Sequence, residues 1–87
     1  MDTLIANKAE FLIAVISEFA KRHRISDVQA FSYLDRYEGL HLVEEHYGIA
    51  HTLSFGDVVD ALTTYCHKNG GHLSGTQKAI DQLYYNG

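Results

Sequence analysis

Proline is missing from this sequence altogether. Tryptophan is missing too, and cysteine and methionine occur once each in 87 residues. Average usage of about 5% would place roughly four prolines in such a length. Small β-rich or disulfide-stapled folds rely on Pro/Gly-rich turns or on several cysteines, so the chain is neither. No apolar run approaches the eighteen or so residues that span a bilayer, and no transmembrane segment is expected. Met1-Asp2-Thr3 lacks the basic start of a secretory signal. The lone thiol, Cys66, suits a reducing compartment, so a cytoplasmic location is the expectation. Cations are also in deficit: seven Lys and Arg stand against eleven Asp and Glu, a formal charge of -4 with six neutral His beside them. What remains is 46% hydrophobic and 21% charged, the composition of one small globular domain.

Hydrophobic spacing then points to helices throughout. From Thr3 to about His23, Ile5, Leu12, Ile16 and Phe19 recur at helical period, widened by Leu4, Phe11 and Val15. Lys21, Arg22 and Arg24 follow where cations favour the exposed carbonyls of a last turn. Ser26 with Gln29 three residues on makes a capping box, with Ile25 as a staple onto Ala30. A second helix turns Ala30, Phe31, Leu34 and Tyr37 inward and stops at Gly39. A third, about two turns long, carries Leu40, Val43 and Tyr47 and stops at Gly48. It is too short to stand alone. Residues 48–53 read as a loop.

Ser54 and Asp57 give an acidic capping box for the clearest amphipathic helix, with Phe55, Val58, Val59, Leu62, Tyr65 and Cys66 on one face and Asn69-Gly70-Gly71 at its end. Residues 72–75 read as a joint, and a last helix from about Thr76 to Tyr84 shows a narrow face of Ile80, Leu83 and Tyr84. There is no internal repeat and no low-complexity tract. The expected fold is all-α: a compact four-helix domain with a short additional C-terminal helix, divided as a core over 1–71 and a linker and helix over 72–87 of the same domain.

Histidine and Cys66 are the chemistry-bearing surplus. A zinc site needs four converging ligands, at i and i+4 on a helix or in short Cys-x-x-Cys loops. His41, His46 and His51 are five apart, which turns successive side chains roughly 140° from one another on a helix. Cys66 lies on an apolar stripe, where an inert buried thiol is the ordinary state. No metal and no cofactor are expected. His51, with Thr52 and Ser54 beside it, could in principle serve as a base, but sequence neighbours rarely present a nucleophile and a base to each other. Without a phosphate loop or a zinc-protease helix, no catalytic residue is assigned and the chain is not expected to be an enzyme.

The two helices around Gly39 have the outline of a helix-turn-helix, which makes a DNA-binding regulator the alternative reading. A recognition helix needs Arg, Lys, Asn or Gln, yet residues 40–47 carry Glu44 and Glu45 and no Lys or Arg. With net charge -4, nucleic acid is an unfavoured partner. Six tyrosines instead suit protein contact, since Tyr offers rigid area and a hydroxyl at low entropic cost. Tyr84 and Tyr85 point about 100° apart on a helix and cannot easily share one small core. Self-association is left open.

The run Glu45 to Phe55, then Asp57-Val58-Val59-Asp60-Ala61-Leu62, then Cys66 to Asn69-Gly70-Gly71, resembles a short bacterial domain-of-unknown-function family whose pattern is a Tyr, a His-Thr pair, an Asp-rich helix and Asn-Gly-Gly. The upstream Phe11-Leu12-Ile13, Ile25-Ser26 and Tyr33-Leu34 also fit, so the likeness covers roughly residues 10–71. Gly56 departs from the acidic residue common at that position. The family is often encoded beside proteins resembling ADP-ribosyltransferases. That implies a non-catalytic, antitoxin-like or accessory partner of a nearby-encoded protein. The expected binding surface joins Tyr47, His51 and Thr52 to Asp57 and Asp60 and to the Tyr84-Tyr85 tail.

Overall fold

The computed structural model describes residues 3–71, with side chains from Asn7 onward. The predicted C-terminal helix, and with it Tyr84 and Tyr85, lies outside the described residues. Within them the chain is all-α with no strand: α1 (Thr3–His23), α2 (Asp27–Arg36), α3 (Gly39–Glu45), α4 (Tyr47–Ala50) and α5 (Phe55–Lys68). The core draws on all five helices. Val15, Phe19 and Ala20 of α1 meet Ala30 and Leu34 of α2, Val43 of α3, Ala50 of α4, and Val58, Val59, Leu62 and Cys66 of α5. The i, i+4 spacings of Val15/Phe19, Ala30/Leu34 and Val58/Leu62/Cys66 are what turn one stripe of each helix inward. No polar or charged residue is fully buried among the described residues, so the core is held by apolar contact, with the Tyr33 hydroxyl the one buried polar group left without a partner there.

Helix starts follow their caps. Ser26 accepts from the Gln29 N–H while the Gln29 side chain accepts from the Ser26 N–H, the complete reciprocal box. Ser54 accepts from the Asp57 N–H, but no return bond from Asp57 closes that box. The Asp57 side chain is one methylene shorter than the Glu of the usual motif.

Helix ends correct the glycine reading at two of three places. Gly70 does end α5 in the left-handed region (φ +97°), where Gly70 N–H bonds the His67 carbonyl and Gly71 N–H the Cys66 carbonyl, the paired bonds of a Schellman motif. At the end of α1 that position falls to Arg24 (φ 56°), with Ile25 N–H bonded to Ala20. After α2 it falls to Glu38 (φ 67°). Gly39 is not a stop: it opens α3, buried, where a Cβ would lie 2.9 Å from both Cys66 Sγ and Leu34 Cδ2. Its missing side chain is what lets α3 approach α2 and α5. Gly48 sits inside α4, so residues 47–50 form a helical turn where a loop was expected, and the expected third helix is broken at His46. Phe31, expected inside, is 49% exposed; α2 is covered along the Ala30/Leu34 line, and Phe31 lies off it.

Candidate functional site

Glu45 ends α3, His46 leaves helical geometry (φ -107°, ψ 28°), and the chain re-enters helix at Tyr47. The next residues tie this turn together. The Tyr47 carbonyl accepts from His51 Nδ1 at 2.8 Å, and the Thr52 hydroxyl donates to the Ile49 carbonyl at 2.6 Å. The His51 ring also stacks on Tyr47 (4.8 Å, 16°). Tyr47 in turn meets Phe11 edge-on at 5.6 Å, and Phe11 stacks on Phe55 at 5.7 Å. These rings form a ladder that pins α4 and the start of α5 to α1, with Lys8 Nζ lying 5.9 Å from the Tyr47 ring centre. His51 Nδ1 and the Thr52 proton are thus both committed to backbone carbonyls. The pair finishes a helix end, and no nucleophile–base bond joins them.

The predicted site residues fall into separate places. Tyr47, His51 and Thr52 adjoin one another at α4. Asp57 is exposed in the first turn of α5. Asp60 is drawn the other way, into an ion pair with Arg22 of α1, whose guanidinium also reaches the Gly56 carbonyl at 3.5 Å. Beside that pair, His23 Nε2 lies 2.9 Å from Thr63 Oγ1, while the Thr63 hydroxyl donates to the Val59 carbonyl. The hydroxyl proton being spent, Oγ1 accepts from Nε2–H, which sets the neutral tautomer. Burial first, then the Arg22 charge, lowers the His23 pKa; Asp60 opposes them. Among the other tyrosines, Tyr33 and Tyr37 pack on each other at 5.0 Å, and Tyr33 stacks on Phe19. Burial pushes the Tyr33 hydroxyl up to about 12 and leaves it with no hydrogen-bond partner among the described residues.

An open apolar feature lies apart from the polar residues expected at the site. A groove of about 240 Å³ runs between α3–α4 and α5. Leu42, Val43 and His46 form one wall, and Ile49, Ala50 and Leu53 continue it. Val58, Ala61 and Leu62 of α5 form the other. Ile49 and Leu53 stand 66% and 45% exposed on its lip. A signal is present in the sequence: residues 42, 46, 49 and 53 step by four, three and four, a helical spacing, although the backbone is interrupted at His46 and Leu53 follows the end of α4. Gly48 reads as a helix stop, which hides this spacing.

The stretch that builds both walls is one-sided in charge, although Lys8 and Arg22 of α1 approach it at Tyr47 and Asp60. Between residues 37 and 67 there is no Lys or Arg, while Glu38, Glu44, Glu45, Asp57 and Asp60 all fall there. Glu45 pairs with His41 at 2.8 Å and Asp60 with Arg22. Among the described residues no cluster of three His, Cys, Asp or Glu is placed to hold a metal ion, and no helix is long and apolar enough to cross a membrane.

Neither the curated proteins nor the solved structures contain a match to this chain. A family model does match, over residues 10–69, which takes in the capped α2, the Tyr47–Thr52 turn and all of α5. The chain therefore belongs to that family, DUF3791, described as proteins of unknown function.

Proposed function

We propose that this chain is a small non-catalytic protein-interaction module that acts by occluding or positioning a partner protein. The observation that carries this reading is the open apolar groove between α3–α4 and α5, with Ile49 and Leu53 standing exposed on its lip. Apolar side chains gathered along one concavity mark a contact surface far more often than the same residues scattered singly. Tyr47, His51 and Thr52 build the turn that presents Ile49 and Leu53, so their part is to shape the surface. The family resemblance, with its habit of being encoded beside ADP-ribosyltransferase-like proteins, supports an antitoxin-like or accessory role toward such a neighbour in the cytoplasm. Co-expression with the product of the adjacent gene should yield a complex that co-purifies through size exclusion. Independent elution of the two at micromolar concentration would overturn the reading. The helix-turn-helix alternative gains no support from α3, which carries Glu44 and Glu45 and no Lys or Arg.

A further inference from the structure

We infer that the occupant of the α3–α4/α5 groove is a basic amphipathic helix contributed by the partner protein, a deepening that rests on the interaction reading above. The groove's size speaks first. Its roughly 240 Å³ is below the range of about 300–1,000 Å³ typical of cavities that enclose a small molecule. It suits a few apolar side chains entering from outside. Its form speaks next: one wall is the α3–α4 surface running from Leu42 through Ile49 to Leu53, and the other is the α5 stripe of Val58, Ala61 and Leu62. A trough between two helices is the setting in which a third helix lays down anchors spaced at i, i+3 or i+4, and i+7.

Charge then selects among occupants. Five of the chain's eleven carboxylates and none of its seven Lys and Arg lie between residues 37 and 67, the stretch that builds both walls. Asp60 is taken up by Arg22 from α1 and Glu45 bonds His41, which leaves Glu38, Glu44 and Asp57 without an ion pair among the described residues. Glu45 is three residues from Leu42, and Asp57 is four from Ala61, so helical geometry sets both carboxylates at the rim. A second copy of this chain would bring the same acidic rim against its own, an unfavourable juxtaposition. A helix with lysines or arginines flanking its apolar anchors meets complementary charge on both sides.

The test uses the full chain and three labelled peptides of about fourteen residues, roughly four helical turns. One has leucines on a single helical face and lysines elsewhere. The second has the same composition in an order that scatters the leucines. The third replaces the lysines by glutamates. Fluorescence anisotropy should show the first binding at least about tenfold more tightly than either control, with affinity falling as salt rises. Amide shift changes should centre on Leu42, Ile49, Leu53 and Ala61. Ala61→Arg, at an exposed position, fills and recharges the groove and should weaken binding about tenfold or more. Glu45→Gln with Asp57→Asn keeps the groove's shape and should weaken it less, while flattening the salt dependence. Equal binding of the scattered or acidic peptide, or unchanged binding by Ala61→Arg, would overturn the inference. So would a homodimer that Ala61→Arg dissociates. A complex with the neighbouring gene product that survives Ala61→Arg unweakened defeats the groove assignment alone; absence of any such complex defeats the reading beneath it.

Discussion

Glu38 and Gly39 are adjacent residues whose natures are exchanged relative to what their positions ask. Glu38 holds the left-handed conformation (φ 67°) that a glycine adopts freely, while Gly39 has helical geometry and is there for space. A left-handed non-glycine residue costs roughly 1–2 kcal/mol, partly offset by the greater unfolded-chain entropy of glycine. Glu38→Gly should therefore stabilise the fold by about 0.5–1 kcal/mol. Gly39→Ala should destabilise it by about 1–3 kcal/mol, because the new methyl meets Cys66 Sγ and Leu34 Cδ2 at 2.9 Å with buried atoms behind them. Urea titration of the two variants beside the parent checks both signs at once; opposite signs are the expected result. From sequence, a glycine after a helix invites the stop-signal interpretation by default. Which of two neighbours takes the left-handed turn depends on what packs against each, and that is a tertiary fact.

At the level of elements, what the sequence made legible is what local chemistry fixes. The bounds of α1 and α5 and the cap of α2 agree with their stripes and their Ser residues, since capping and periodicity act within a few residues. The complete box at Ser26 has an energetic consequence: Ser26→Ala should cost about 1 kcal/mol, and Ser54→Ala, which loses a one-sided cap, no more than that. Thermal melts of the two variants provide the comparison. The α3–α4 region was less legible, because two helices of seven and four residues have no stability of their own. They are helical because Val43 and Ala50 reach the core and Tyr47 leans on Phe11. That is also why the groove went unseen. The sequence singled out Tyr47, His51 and Thr52 for their polar chemistry, whereas the exposed surface they support is apolar and belongs to Ile49 and Leu53. Asp60, grouped with them by its place on the polar face of α5, is turned toward α1 by a residue 38 positions away, a distance no local pattern spans.

For the molecule as a whole, the joint between α1 and α5 ties stability to pH. His23 ends α1, where the helix dipole favours a protonated ring, yet burial and Arg22 outweigh it and lower the pKa. The unfolded chain, with His near its usual value of about 6.5, then binds more protons than the folded one. This contribution to stability is fully present above that value and is lost as pH falls toward the folded pKa. His23→Gln, which can still donate to Thr63, should flatten the rise of the melting temperature as pH increases toward about 6.5; a slope unchanged from the parent would refute the assignment.

Cys66 is the only thiol in the chain, fully buried against Gly39, and burial pushes it up to about 11. It is therefore silent toward thiol reagents for as long as the fold is closed. A second cysteine placed on the groove lip, as in Ile49→Cys, can carry a fluorophore or spin label without first removing the native one. Under native conditions the same buried sulfur becomes a reporter: the rate at which it is modified counts how often the packing around it opens.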